Sequence, residues 1–410
     1  MSSIESKLTS ALLRVIRARR EEPEAGPVVQ AAAPSRGKIR EATFADFDGV
    51  NELRRKWGLG PDSLENWERL WKNNPALTLM PQKPPMGWVL EAEGRQVGYL
   101  GNIATLYHYG DRALVAATGT GLVAEPAYRA ASVSLVAAYY KQKVDLYLTT
   151  TAIEAVGKIA QAFKSLPLPQ AEYDSMLFWV LQPQSFANVV MKKLELKPAL
   201  SRMGSMLASF AFGTDTILRR RWPARGSTTL EVKEISVEEI GDDFEILWAQ
   251  KLKEPARLIA DRSPAVLRWH FKVPSDTGSA RVFCCYKNSE LIGYSIIRHE
   301  SPTRGSGLRR SIIADMLAKD DDPAVLASLW RAAYDQAKEV GSDVFEILGF
   351  PPGIRQICQQ WHPYLRKYPS CPFYFKAADR NLHNTLSDGK AWYASPFDGD
   401  TTLWSFGAAS

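Results

Sequence analysis

The sequence predicts an α+β chain, α/β in the broad sense, built as two tandem units. Each unit is a mixed, mostly antiparallel sheet flanked by helices. Three observations carry this reading. Arg112–Thr151 reads strand, small-residue turn, helix, buried strand. Two hairpins are written around short polar turns, at Ala92–Arg95 and Asn288–Glu290. The order of elements that starts at Lys38 starts again near Thr229.

Composition supports two ordinary cores. At 410 residues the chain exceeds one typical domain, and 45% hydrophobic with 23% charged residues is the balance of a soluble globular protein. A net charge of +6 and a pI near 9.0 tolerate anionic ligands but fall short of a dedicated nucleic-acid binder, so no nucleic-acid partner is expected. Cys284, Cys285, Cys358 and Cys371 form no CxxC pair, and the five histidines are scattered. Spacing therefore offers no metal site, and the thiols read as reduced in a cytoplasmic protein. No apolar run reaches the ~18 residues of a membrane span, and the first residues lack the pattern of a signal peptide.

Taken in order, residues 1–37 read as an amphipathic helix and a flexible linker. Ile4, Leu8, Leu12 and Val15/Ile16 share a stripe, with Lys7, Arg14, Arg17 and Arg20 elsewhere. Ile4–Arg20 is a peripheral membrane or partner contact in one reading and a frayed tail in the other. Residues 38–182 form the first unit. It runs from a strand at Lys38–Thr43 through helices at Ala45–Trp57 and Ser63–Trp71, with Ser63 as N-cap, to the hairpin Trp88–Leu106. The strand Ala113–Ala124, the turn Glu125–Ser134 and its helix, the strand Val144–Thr151, the helix Ile153–Phe163 and the strand Ser175–Leu181 complete it. Residues 183–228 supply linking helices, Gln184–Leu194 and Pro198–Arg221. Leu200, Met203, Met206/Leu207 and Phe210 make an apolar stripe there, and Arg219–Trp222 reads as a solvated basic helix end.

Residues 229–410 repeat the order. Strand Leu230–Ile235, helices Glu238–Gln250 and Ser263–Phe271, hairpin Arg281–Arg298, strand Arg310–Leu317, helix Ala324–Val340, strand Val344–Leu348, helix Ile354–Trp361 and strand Pro372–Ala377 follow one another. Arg95–Tyr99 is echoed by Glu290–Tyr294 and Ser175–Trp179 by Ser370–Tyr374, with Gly98/Gly293 and Trp179/Tyr374 at one offset. Shared order and offset indicate an internal duplication.

This order, with Val123-x-x-Pro126-x-Tyr128-Arg129-x-x-Ser132, the hairpin before it and the strand after it, resembles the GNAT acyltransferase fold in two copies. It is similar to the tandem GNAT and Fem-like transferases. The resemblance implies two GNAT-like domains and an acyl-CoA co-substrate, acetyl-CoA or another. The backbone of Leu122 and Val123 would bind the pantetheine arm, and Arg129, Ala130, Ala131, Ser132, Val133 and Ser134 would hold the pyrophosphate at a helix N-terminus. The family's turn carries two glycines where this chain has Ser132 and Ser134. A serine brings a Cβ toward the phosphates but offers a hydroxyl donor. Glu125 is the carboxylate next to the turn and a candidate for the proton transfer, or a solvent-facing residue before Pro126. The tyrosine acid that the family often carries on the helix after the fifth strand is missing between Ile153 and Leu166, leaving Tyr139, Tyr140, Tyr173 or no such donor.

In the second unit the turn reads Ala318-Lys319-Asp320-Asp321-Asp322-Pro323. Three carboxylates there would repel a pyrophosphate. Helix capping by Asp322 is expected ahead of a metal site. The C-terminal domain is thus expected to carry a degenerate CoA site. Trp392–Asp400 resembles the closing segment of related tandem proteins, with Asp398-Gly399-Asp400 a turn by composition. The resemblance implies an N-acyltransferase acting on an amine acceptor, a small molecule or cell-surface precursor, held between the two domains. The alternatives are a non-catalytic pair acting as a scaffold and a Fem-like aminoacyl transferase, which requires no such phosphate turn.

Overall fold

The computed structural model describes residues 37–59, 62–80, 82–193, 198–224, 229–272, 280–300, 307–367 and 372–403. The amphipathic stretch Ile4–Arg20, its linker, Ser370, Cys371 and the side chains of Leu200 and Met203 lie outside the described residues. In the first half, β1 (Lys38–Glu41) leads into α1 (Phe47–Lys56) through a 3₁₀ turn closed by a Thr43/Asp46 capping box. α2 (Leu64–Trp71) starts at Ser63, whose hydroxyl accepts the Asn66 N–H. Then come β2 (Gly87–Ala92), β3 (Arg95–Tyr109), β4 (Arg112–Ala124), α3 (Ser132–Lys141), β5 (Leu146–Thr149), α4 (Glu154–Ala162), β6 (Leu166–Pro167) and β7 (Ser175–Val180).

The linking helices are α5 (Pro183–Lys193) and α6 (Pro198–Leu218). The second half holds β8 (Glu231–Ile235), α7 (Asp242–Lys251), β9 (Ile259–Ala260), α8 (Pro264–Phe271), β10 (Arg281–Lys287), β11 (Glu290–Glu300) and β12 (Arg310–Ala318). It continues with α9 (Pro323–Glu339), β13 (Val344–Ile347), α10 (Pro352–Gln359), β14 (Tyr364–Lys367), β15 (Tyr374–Ala377) and α11 (Arg380–Thr385). The helix expected from Glu238 begins only at Asp242. Ser236 and Glu239 close a capping box on a separate 3₁₀ turn, and extended Gly241 interrupts the winding.

Two mixed sheets result. The first runs β1-β2-β3-β4-β5-β15-β6, with β9 added to β3; the second runs β14-β7-β13-β12-β11-β10-β8. Each contains one parallel pair, β4/β5 and β12/β13, at equivalent places. The last strands are exchanged. β7, from the first half, pairs antiparallel with β13, and β15, from the second, pairs with β5. Ser175–Val180 is therefore not the closing strand of its own sheet, although its sequence reads as one. The exchange ties the halves into one core, in which Leu114 and Leu148 share a cluster with Ile313, Phe345 and Trp392.

A C-terminal strap, Trp392–Leu403, lies wholly buried against both sheets. Buried backbone must find hydrogen-bond partners, and the halves supply them. Gln170 bonds both the N–H and the carbonyl of Ala394, at 2.9 and 2.8 Å. Arg298 donates to the Thr402 carbonyl and Arg69 to the Leu403 carbonyl, each at 2.7 Å. Arg262 is fully buried. It meets Asp315 at 3.0 Å, Ser395 Oγ at 3.0 Å and the Ala260 carbonyl at 2.8 Å, under the rings of Tyr393 and Phe397. Tyr294 donates to Asp315 at 2.8 Å, and Asp398 accepts the Ser395 N–H at 2.7 Å. Burial pushes the Asp398 carboxyl up to about 6, against the pull of Arg262.

Two stability outcomes follow. Asp315→Ala leaves Arg262 buried without its carboxylate and is expected to cost about 3–5 kcal/mol in urea unfolding; a loss within wild-type error would contradict the role given to the pair. The folded state binds the Asp398 proton more tightly than the unfolded chain does, so this group lowers stability as pH rises from about 4 to about 6. Asp398→Asn removes that titration. Its stability relative to wild type should improve with pH across the window, by up to roughly 3 kcal/mol, and a difference flat in pH would refute the raised pKa.

Candidate active site

The parallel pairing of β4 and β5 is short. Ala116, Ala117 and Thr118 pair with Leu146, Tyr147 and Leu148, and the ladder stops there. Tyr139, reaching in from α3, occupies the next position. Its hydroxyl lies 2.7 Å from the Ala117 carbonyl and 2.9 Å from the Leu148 carbonyl, and accepts the Leu148 N–H at 3.1 Å. Beyond this point β4 bulges. Tyr99 pairs with Val123 and Gly101 with Thr120, so β4 carries one residue more than β3 over this stretch. Gly121 sits in the bulge at φ +62°, a conformation that favours glycine.

The strap brings an acid to this split. Asp400 accepts hydrogen bonds from Thr150 Oγ1 at 2.6 Å and Thr151 Oγ1 at 3.2 Å, just past β5, and it also bonds the Thr120 hydroxyl on β4. Its own N–H donates back to Thr150 at 3.1 Å. The approach requires Gly399, because a Cβ there would stand 2.3 Å from Thr150 Cγ2. Burial holds the Asp400 carboxyl above the usual carboxylate range, opposed by the three threonine hydroxyls. The sequence flagged Asp398-Gly399-Asp400 only as a turn. The threonines that receive Asp400 lie some 250 residues away in sequence, so no local signal could join them.

The turn itself stands at the end of β4. Leu122 is half-buried against the α3 side of the sheet, and Val123 is buried on the opposite side with Trp67 and Tyr99. Pro126–Ala131 is a 3₁₀ turn that runs directly into α3. Arg129, Ala130, Val133 and Ser134 are exposed, and Ala131 and Ser132 half-exposed. The Arg129 carbonyl takes both the Ser132 N–H and the Ser132 hydroxyl, the latter at 2.6 Å. Part of the donor set that sequence assigns to an anion is thus engaged within the turn.

Glu125 pairs with Lys56 at 2.9 Å and Arg95 at 3.5 Å. Burial raises its pKa, but the two cations outweigh that and hold the carboxyl below its ordinary value. A carboxylate so held is a weak proton acceptor. Of the alternative tyrosines, Tyr140 bonds Ser165 at 2.7 Å and Tyr173 reaches the Ser395 carbonyl at 3.2 Å. Burial raises the Tyr139 phenol well above its ordinary range.

The second unit's turn is filled by its own side chains. Asp322 caps α9, accepting the Ala324 and Val325 N–H groups at 2.7 and 3.2 Å. Asp321 bridges Lys251 and Arg257, each at 2.7 Å, and Asp320 adopts φ +55° while its N–H donates to Glu254. The split between β12 and β13 is bordered by the strap, where Tyr393 donates to the Met316 carbonyl at 2.8 Å. Among the described residues no group of His, Cys, Asp and Glu is arranged to hold a metal ion.

Proteins of known structure share this architecture. A GCN5-related N-acetyltransferase from Anabaena variabilis superposes with a TM-score of 0.53 at 12% identity, over 84% of this chain and 73% of that one. A conserved protein of unknown function from Enterococcus faecalis gives 0.53 at 9% identity, over 83% and 72%. The N-myristoyltransferase of Saccharomyces cerevisiae, crystallised with myristoyl-CoA and inhibitors, gives 0.50 at 14% identity, over 86% and 82%. No family model matches the chain, and no curated protein matches it. At such identities the likeness shows the fold: two mixed, mostly antiparallel sheets arranged as a tandem GNAT-like pair.

Proposed function

We propose that the chain is an acyl-CoA-dependent N-acyltransferase, with the donor site in the first unit, residues 38–182, and the amine acceptor held between the units. The observation that carries this reading is the meeting of a bulged, prematurely ended β4/β5 ladder with a buried acid, Asp400. The comparisons support it, because the Anabaena protein is described as an N-acetyltransferase and the yeast protein was crystallised with an acyl-CoA.

In this reading Arg129 and the turn Ala130–Ser134 hold the pyrophosphate, the Ser132 N–H being already engaged by the Arg129 carbonyl. The backbone of Leu122 and Val123 pairs with the pantetheine arm, and an N–H of the bulge receives the thioester oxygen. The neutral amine attacks the thioester carbon, the C–S bond breaks, and the ammonium proton passes to Asp400. The thiolate, of pKa about 8.5, leaves and is then protonated to free CoA. Asp400 suits the proton transfer better than Glu125, because its environment raises its affinity for a proton while Lys56 and Arg95 lower that of Glu125. The Tyr139 hydroxyl closes the base of the split, which favours an acetyl or other short acyl group. The second unit supports no CoA site of this kind, since Asp320, Asp321 and Asp322 occupy its turn.

A second reading, a non-catalytic pair acting as a binding protein, draws on the same tyrosine, which fills the split, and on the serines in place of glycines.

Calorimetry with acetyl-CoA and longer acyl-CoAs separates the two. Binding to the wild type, lost roughly tenfold or more in Arg129→Glu and unchanged in Asp321→Asn, is the expected result. No binding at high micromolar concentration would favour the scaffold. With a panel of amine acceptors, Asp400→Asn should retain donor binding and slow CoA release by about 10²–10⁴-fold. Wild-type turnover in Asp400→Asn, or its loss in Glu125→Gln alone, would move the base elsewhere.

A further inference from the structure

Among the described residues, the outer face of α6 from Met206 to Leu218 has no partner in the fold and carries no charge. Its inner face packs down: Gly204 sits against Met191 of α5, Ser205 is buried, and Phe212 packs on Phe186 and Tyr364. The outer face is apolar. Met206 and Leu207 are 68% exposed, Ile217 69%, and Phe210 and Leu218 77%; among the other described large apolar residues only Leu79, at 69%, is as open. Ala211 lies on the same side and is exposed. The patch runs roughly 18 Å along the helix. Contiguous exposure on this scale marks an interaction surface.

The chemistry at the end of the patch selects the partner. Arg219 and Arg220 follow Leu218 directly and are exposed, and Trp222 stands beside them, 37% exposed. The helix end is fixed to the body by Arg221, which stacks 4.0 Å from the Tyr364 ring centroid and bonds Asp215 at 2.6 Å. A second copy of the chain is a poor occupant. Pairing would set Arg219 and Arg220 against their own copies or against the apolar Met206 end. The one acid of this helix, Asp215, is already held by Arg219, Arg221 and Tyr364. An apolar stripe bounded by arginines and a tryptophan instead fits the interface of an anionic bilayer. Among the described residues no helix is long and apolar enough to cross a membrane, so the helix would lie in the surface plane.

We propose that α6 is a membrane-docking helix that seats Met206, Leu207, Phe210, Ile217 and Leu218 at the acyl boundary of an anionic bilayer, with Arg219, Arg220 and Trp222 at its headgroups. The basic pattern of Ile4–Arg20 offers a second, separable contact, in keeping with the need for two signals in stable anchoring.

The test is co-sedimentation of the full chain with vesicles of phosphatidylcholine plus phosphatidylglycerol, and of phosphatidylcholine alone. The wild type should bind the anionic vesicles. Phe210→Gln with Ile217→Gln should weaken that binding roughly tenfold or more without loss of the folded circular-dichroism signal, since both side chains face solvent. Arg219→Glu with Arg220→Glu should weaken binding to the anionic vesicles selectively. Deletion of Met1–Gly37 should leave measurable binding that the Phe210/Ile217 pair of changes removes. The proposal is overturned if the wild type binds neither vesicle, if the apolar variant binds as the wild type does, or if the deletion alone abolishes binding. It is overturned as well if light scattering shows a dimer that the apolar variant dissociates.

Discussion

The two halves are held together through the buried Trp392–Leu403 strap, whose polar groups need hydrogen-bond partners. A segment written in Ser, Pro, Asp, Gly and Thr ordinarily stays in water, because its backbone is costly to bury without partners. Here it is buried throughout, and each half contributes bonds: Gln170, Thr150 and Arg69 from the first, Arg262 and Arg298 from the second. A buried arginine is expensive on its own. Asp315, Tyr294 and Ser395 make Arg262 tolerable, and they exist as a group only once the second sheet and the strap are both in place. Folding of the halves and seating of the strap are therefore coupled.

The exchange of β7 and β15 reinforces that coupling. Each sheet needs a strand from the other half to cover the far edge of its parallel pair. The duplication is symmetrical in order and asymmetrical in chemistry. At the first turn, Arg129 and small side chains face solvent; at the second, Asp321 is neutralised by Lys251 and Arg257 and Asp322 caps the helix. The strap adds to the difference. It sets a carboxylate, Asp400, at the first split and a phenol, Tyr393, against the second. The first turn keeps an exposed arginine, while the carboxylates of the second are engaged within the fold.

Local features were legible in the sequence because local forces write them. The N-caps at Ser63 and Asp322, both hairpins, the two linking helices and the strand-turn-helix-strand unit around Arg129 follow from periodicity and turn chemistry. What depends on distant partners was not. β7 and β15 are both rich in aromatic side chains and similarly placed in their repeats, so nothing in their residues says which sheet each joins. Glu125 looks free in sequence, since Lys56 and Arg95 come to it only through tertiary folding. Tyr139 falls on the buried stripe of an ordinary helix, and its hydroxyl matters because two strands part just where it arrives. Asp400 is the sharpest case: a turn residue by composition becomes a buried acid by packing.

We propose that only the first unit takes the donor, at a split completed by the strap. Hydrogen exchange read by mass spectrometry, with and without acetyl-CoA, tests it most directly. New protection is expected at 119–134 and 146–151 and in the strap around Asp400, with 318–325 and 344–348 unchanged. Protection confined to the second turn, or spread equally over both, would contradict it.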